Sequence, residues 1–123
     1  MTKHLSQKEI IDRHIESDKI IEEAIMNGDY KRNNREVKKL NRLKAHLKND
    51  PELALHVYSE LFKSDCVTTQ SHAAVESLRI GIHIEKAISI LEELSKREDI
   101  GIIRLGCETA LKLWRGEIPG KTL

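Results

Sequence analysis

A chain of 123 residues, 33% charged and 39% hydrophobic, has room for one hydrophobic core and not for two sizeable ones. Aromatic residues make up only 3%, so that core must be built from Leu, Ile, Val and Ala, and 21 Lys and Arg against 20 Asp and Glu leave a net charge of +1. The longest uncharged stretch, Cys66–Val75, is short and polar, the first residues lack the apolar centre of a signal peptide, and two distant cysteines make neither a disulfide scaffold nor a zinc knuckle; secretion and membrane insertion are not expected, and a cytoplasmic location is.

Helical punctuation is dense along the chain. Ser6 with Glu9 predicts a capping box that opens a first helix, running to Met26 and stopped by Asn27-Gly28. Its apolar residues Ile11, Ile15, Ile21 and Ile25 recur on one side. A second helix is expected from Asp29 to Leu47, with Tyr30, Val37, Leu40, Leu43 and Leu47 as its apolar stripe. Asp50-Pro51-Glu52 combines an N-cap, a proline at the first helical position and an acid in the first turn, and so starts a third helix that ends near Phe62. A fourth is expected over Val67–Ile80, stopped by Gly81, a fifth over Ile84–Lys96, and a sixth over Ile100–Arg115, closed by Gly116. No run alternates as a strand would, and the short linkers favour antiparallel neighbours, so the fold class is all-α with five to six antiparallel helices. The chain divides into an N-terminal capping helix over 1–27, helical hairpins over 28–116 and a flexible tail over 117–123, all within one domain.

Val67, Ser71, Ala74, Val75 and Leu78 recur as Ile103, Cys107, Ala110, Leu111 and Trp114, an offset of 36 residues. That is close to the period of helical-hairpin solenoids, in which each hairpin buries its apolar face only against its neighbours. The segment from Ile103 to Leu111 resembles the HEAT-repeat pattern Val-Arg-x-x-Ala-Ala-x-Ala-Leu, and Ser64-Asp65-Cys66-Val67 resembles the turn that enters such a helix. The resemblance departs at Thr68, where arginine is usual. Residues 28–116 also resemble a small bacterial family catalogued only as a domain of unknown function, through Gly28–Asn33, Val67–Leu78 and Ile84–Trp114. What these resemblances imply is a HEAT-like or armadillo-like α-α superhelical stack that binds a partner by shape and charge. Small bacterial immunity proteins of helical-repeat build neutralise a cognate toxin in this way.

The chemistry-bearing motifs are sparse. The chain lacks a dinucleotide-binding glycine loop, a P-loop, a nucleophile elbow and the zinc-protease helix motif, so no catalytic residues, metal ligands or cofactor are expected and the chain is read as a non-enzyme. His14–Asp18, His56–Glu60 and His72–Glu76 are spaced i, i+4 and read as polar pairs on helix surfaces. Cys107 reads as an inert core thiol and Trp114 as a core residue.

Charge placement says more. Residues 28–48 hold eight bases against Asp29 and Glu36, and Lys31, Arg35, Lys38 and Arg42 form a ridge opposite the apolar stripe. It fits an acidic protein or a phosphate backbone, although no exposed aromatic is expected among the bases and the acids of the first helix dilute it. From Pro51 onward 11 acids face nine bases. The expected partner is another protein, such as a toxin domain, held by His72, Glu76 and Arg79 of the fourth helix and Glu85, Ser89 and Glu92 of the fifth. The alternative is nucleic acid on the basic ridge.

Overall fold

The computed structural model describes residues 5–123, so positions 1–4 of the expected capping segment lie outside the described residues. Six α-helices follow in order: α1 (Gln7–Met26), α2 (Tyr30–Lys48), α3 (Pro51–Leu61), α4 (Val67–Ile80), α5 (Ile84–Ser95) and α6 (Ile102–Trp114). The described residues contain no strand. The fold is all-α.

The caps form where the side chains can reach the free backbone N–H groups. Ser6 Oγ accepts from Glu9 N at 3.1 Å while Glu9 returns a carboxylate to Ser6 N at 3.2 Å, closing the capping box of α1. Asp29 and Asp50 do the same for α2 and α3, accepting from Arg32 N and Leu53 N. Gly81 ends α4 at φ +86°, where a side chain would be strained. The sixth helix starts two residues later than its apolar pattern suggests, because Gly101 takes φ +59° and ψ −131° and breaks the register after Ile100. His83 is the one described non-glycine residue at positive φ, 47°, just before α5. Its Nε2–H donates to Leu55 O at 2.8 Å and its ring meets Phe62 edge-on, and these contacts offset the strain.

Packing centres on α4. Ala73 faces a core shared with Ile10, Leu47, Ala54, Val57, Tyr58 and Leu61, while its neighbour Ala74 faces a second core with Leu78, Ala87, Leu91, Leu94, Cys107 and Leu111. Consecutive alanines let helices approach α4 from two sides, and each fully buried large apolar chain adds about 1.5–3 kcal/mol. The result is that α4 packs against α1, α3, α5 and α6. The N-terminal helix, expected to cap the array, packs against α2, α3 and α4. At the other end Leu123, in the expected tail, rests on the second core.

Three apolar positions lie further out than their patterns suggest. Ile25 is 55% exposed and Tyr30 77%, because the turn at Gly28 leaves the end of α1 and the start of α2 without a covering helix. Trp114, expected in the core, is 37% exposed, since it sits in the last turn of the last helix.

Candidate functional site

The i, i+4 spacing of His14 and Asp18 puts both on one side of α1, and that side is the inner one, shared with Ile10, Ile21 and Ala24. Both side chains are fully buried, which corrects the expectation of a surface pair. Asp18 accepts three hydrogen bonds: from His14 Nδ1 at 2.7 Å, from Thr69 Oγ1 at 2.8 Å and from His72 Nδ1 at 2.6 Å. Burial pushes the Asp18 carboxyl up, but the hydrogen bonds and charges of His14 and His72 outweigh it and hold the group well below the usual carboxylate range.

An ionised carboxylate has no proton to give, so all three partners must donate to it. Both histidines therefore carry a proton on Nδ1. His72, half-buried, then offers its other ring edge and Nε2 to the outside. His14 Nε2 is buried without a hydrogen-bond partner among the described residues, as is the Tyr58 hydroxyl, and the two rings meet edge-on at 6.4 Å. Burial, then the charges of Glu76 and Asp18, push the Tyr58 hydroxyl above its ordinary range. The expected His72–Glu76 pair does not form, because Asp18 takes the imidazole. His56 and Glu60 stay on the surface, and Glu60 bonds Lys63 at 3.1 Å instead.

His72 lines a groove of about 820 Å³ between α1, α4 and the start of α6. Its rim is mixed: Ile25, Met26 and Ile102 stand 55%, 81% and 71% exposed around it, together with the charged side chains of Arg79, Arg97 and Asp99. Its floor is polar. Glu76, almost buried, accepts from Arg79 and has Lys44 Nζ 3.9 Å away. Burial pulls the Lys44 ammonium below its ordinary range, with Arg79 adding to the shift and Glu76 and Asp18 opposing it. Glu22 accepts from Thr68 Oγ1 at 3.3 Å and from Cys66 Sγ at 3.6 Å, which ties the start of α4 to α1.

The six residues expected to bind a partner separate into two surfaces. His72, Glu76 and Arg79 meet in the groove. Glu85 and Ser89 are exposed on α5, outside the groove lining, and Glu92 is engaged by Arg115 at 3.3 Å. Thr69 and Lys44 were not legible as members of the site, and Asp18 only as a partner of His14, since the other partners come from other helices. Cys107 is buried among apolar chains and burial pushes its thiol up to about 11. Among the described residues no three His, Cys, Asp or Glu side chains come together in a way that could hold a metal ion.

The basic ridge is exposed as expected at Lys31, Arg35, Lys38 and Arg42. Glu36 is withdrawn from it, buried with Ser17 Oγ 3.2 Å and Lys39 Nζ 3.4 Å away. A second groove of about 710 Å³ runs between α1 and α2, with Arg13, Lys39, Arg42 and His46 in its lining. No helix among the described residues is long and apolar enough to cross a membrane. No family model, no curated protein and no solved structure matches the chain.

Proposed function

We propose that this protein works by binding another protein in the groove between α1, α4 and α6, without catalysing a reaction of its own. The observation that carries this reading is the rim. Ile25, Met26 and Ile102 keep most of their surface in water although an apolar chain gains about 25 cal/mol for each Å² withdrawn from it. Exposed apolar side chains gathered at a groove that also holds a few convergent polar groups mark a surface built to be covered. The floor supplies specificity, because a partner that leaves His72, Lys44 or Glu76 without a polar contact forfeits binding energy.

A specific interface needs about 800 Å² per partner, so a partner seated in the groove must also cover adjoining surface of α1, α4 and α6. The HEAT-like resemblance suggests the finer reading, a cytoplasmic immunity protein of a bacterium that captures a toxin domain. This rests on analogy of fold pattern and is tested with the partner itself.

The experiment is affinity capture from the native cell with the wild-type chain and with Ile102→Glu, whose melting temperature should stay within about 2 °C because the side chain is exposed. A partner retained by the wild type and lost by Ile102→Glu supports the reading. Capture that is indifferent to Ile102→Glu and Met26→Glu removes the groove from the account.

A further inference from the structure

The basic ridge of α2 gains a property in three dimensions that its sequence pattern hides. Tyr30, which belongs to the apolar stripe by spacing, is 77% exposed in the first turn of α2, next in sequence to Lys31 and about 80–140° around the helix from the four cations. At 100° per residue Lys31, Arg35, Lys38 and Arg42 lie within about 60° of one another, with exposed Asn34 and Asn41 on the same flank as Tyr30. The correction matters because an aromatic face beside a row of cations is the arrangement that binds an unpaired nucleotide strand.

The cations are also uncompensated. Asp29 is occupied in capping α2, and Glu36 is buried against Ser17 and Lys39. Glu23 of α1 is held by Arg32 at 3.5 Å, and Lys44 has turned away to Glu76. None of Lys31, Arg35, Lys38 or Arg42 has an ion-pair partner among the described residues. Of the acids nearby, Asp29, Glu36 and Glu23 have other tasks, Glu16 of α1 shares a groove with Arg42, and the four side chains of the ridge stand open to solvent. The ridge extends roughly 16 Å along the helix, at about 1.5 Å per residue. Its four cations stand about 4.5–6 Å apart along the axis, so they meet successive phosphates of a strand extended beyond the roughly 3.4 Å per nucleotide of a duplex strand.

We propose that this face of α2 is a binding site for single-stranded nucleic acid, with Lys31, Arg35, Lys38 and Arg42 on successive phosphates and Tyr30 stacked on a base. It does not rest on the protein-binding reading, since none of Tyr30, Lys31, Arg35, Lys38 and Arg42 lines that groove. Recognition is by backbone and stacking, so it tolerates any sequence. An acidic protein segment would satisfy the cations but leave Tyr30 without a role.

The test is fluorescence anisotropy with a labelled 20-nucleotide oligo-dT and the full chain. Four phosphate contacts on a single strand predict an affinity that falls roughly 50-fold between 50 and 200 mM salt. The double variant Lys38→Glu/Arg42→Glu should lose at least about 100-fold, and Tyr30→Ala at least about fivefold, while Tyr30→Phe binds as the wild type does. Melting temperatures of all variants check that the chain still folds, and Ile102→Glu should bind the strand unchanged. The proposal is overturned by absence of binding at 50 mM salt, by equal affinity for polyglutamate or for the blunt duplex of the same length, or by a Tyr30→Ala variant that binds as tightly as wild type.

Discussion

His72 Nδ1 lies 2.6 Å from an oxygen of Asp18, 54 residues earlier in the chain, and this bond ties α4 to α1 beneath the groove. The same carboxylate holds His14 and Thr69, so one buried charge sets the positions of three side chains on two helices. Asp18→Asn keeps the shape but offers an N–H where a donor already points. Breaking a buried charged cluster from one side costs about 3–5 kcal/mol, so the melting temperature should fall by roughly 10 °C or more. A loss below about 1 kcal/mol in urea titration would show that the network contributes little.

Acid sensitivity follows from the same residue. Its carboxyl is held below the ordinary value of 3.8, so on acidification the unfolded chain takes up that proton before the folded one does. The resulting stability is present in full above the unfolded value and is lost progressively as pH falls beneath it. Urea midpoints measured from about pH 7 down to about pH 2 should therefore drop more steeply for the wild type than for Asp18→Asn. Asp99, also lowered by its hydrogen bonds to Arg97, is common to both proteins and cancels in the comparison. Parallel curves would remove Asp18 as the source.

The tautomers provide a spectroscopic check. His14 and His72 must carry their proton on Nδ1 to donate to Asp18, whereas His83 must carry it on Nε2 to donate to Leu55 O. Two-bond nitrogen–proton correlation spectra of the neutral imidazoles should show lone-pair-bearing Nε2 for the first two and lone-pair-bearing Nδ1 for the third. An Nε2–H signal from neutral His72 contradicts the geometry of the floor.

Much of the fold was legible because its signals are local. Ser6, Asp29, Asp50 and Gly81 act on residues within one turn, and the helices they bound appear within a residue or two of their expected ends. The start of α6 was misread because the glycine that delays it acts through backbone conformation, which no apolar pattern records. The site was legible only as fragments. A His–Asp pair at i, i+4 looks the same on a surface as in a core, and what decides is the arrival of Thr69 and His72 from α4. Tyr30 was misplaced for a related reason, since periodicity assigns a face and cannot tell where the neighbouring helix ends.

Thiol chemistry separates the two cysteines. Cys107 is buried with its thiol pushed up to about 11, while Cys66 sits half-buried at the start of α4. Titration with an aromatic disulfide reagent in the folded state should modify Cys66 first and Cys107 only on unfolding. Reaction of both at one rate would mean that the α4–α6 core opens readily.

Core and ridge substitutions should rank as their burial does. Ala110→Glu forces a charge between α5 and α6 at a position 5% exposed and should cost more than about 3 kcal/mol. Lys38→Glu on the exposed ridge should change stability by less than about 0.5 kcal/mol. Thermal melts in the reverse order would contradict the orientation of both helices.

The groove itself is tested most directly by a photo-crosslinking side chain placed in the native cell at Met26, at Ile102 and, as the competing surface, at Ser89. The account predicts one discrete cross-linked partner protein from both Met26 and Ile102 and none from Ser89. A partner that cross-links from Ser89 and from neither groove position would contradict it.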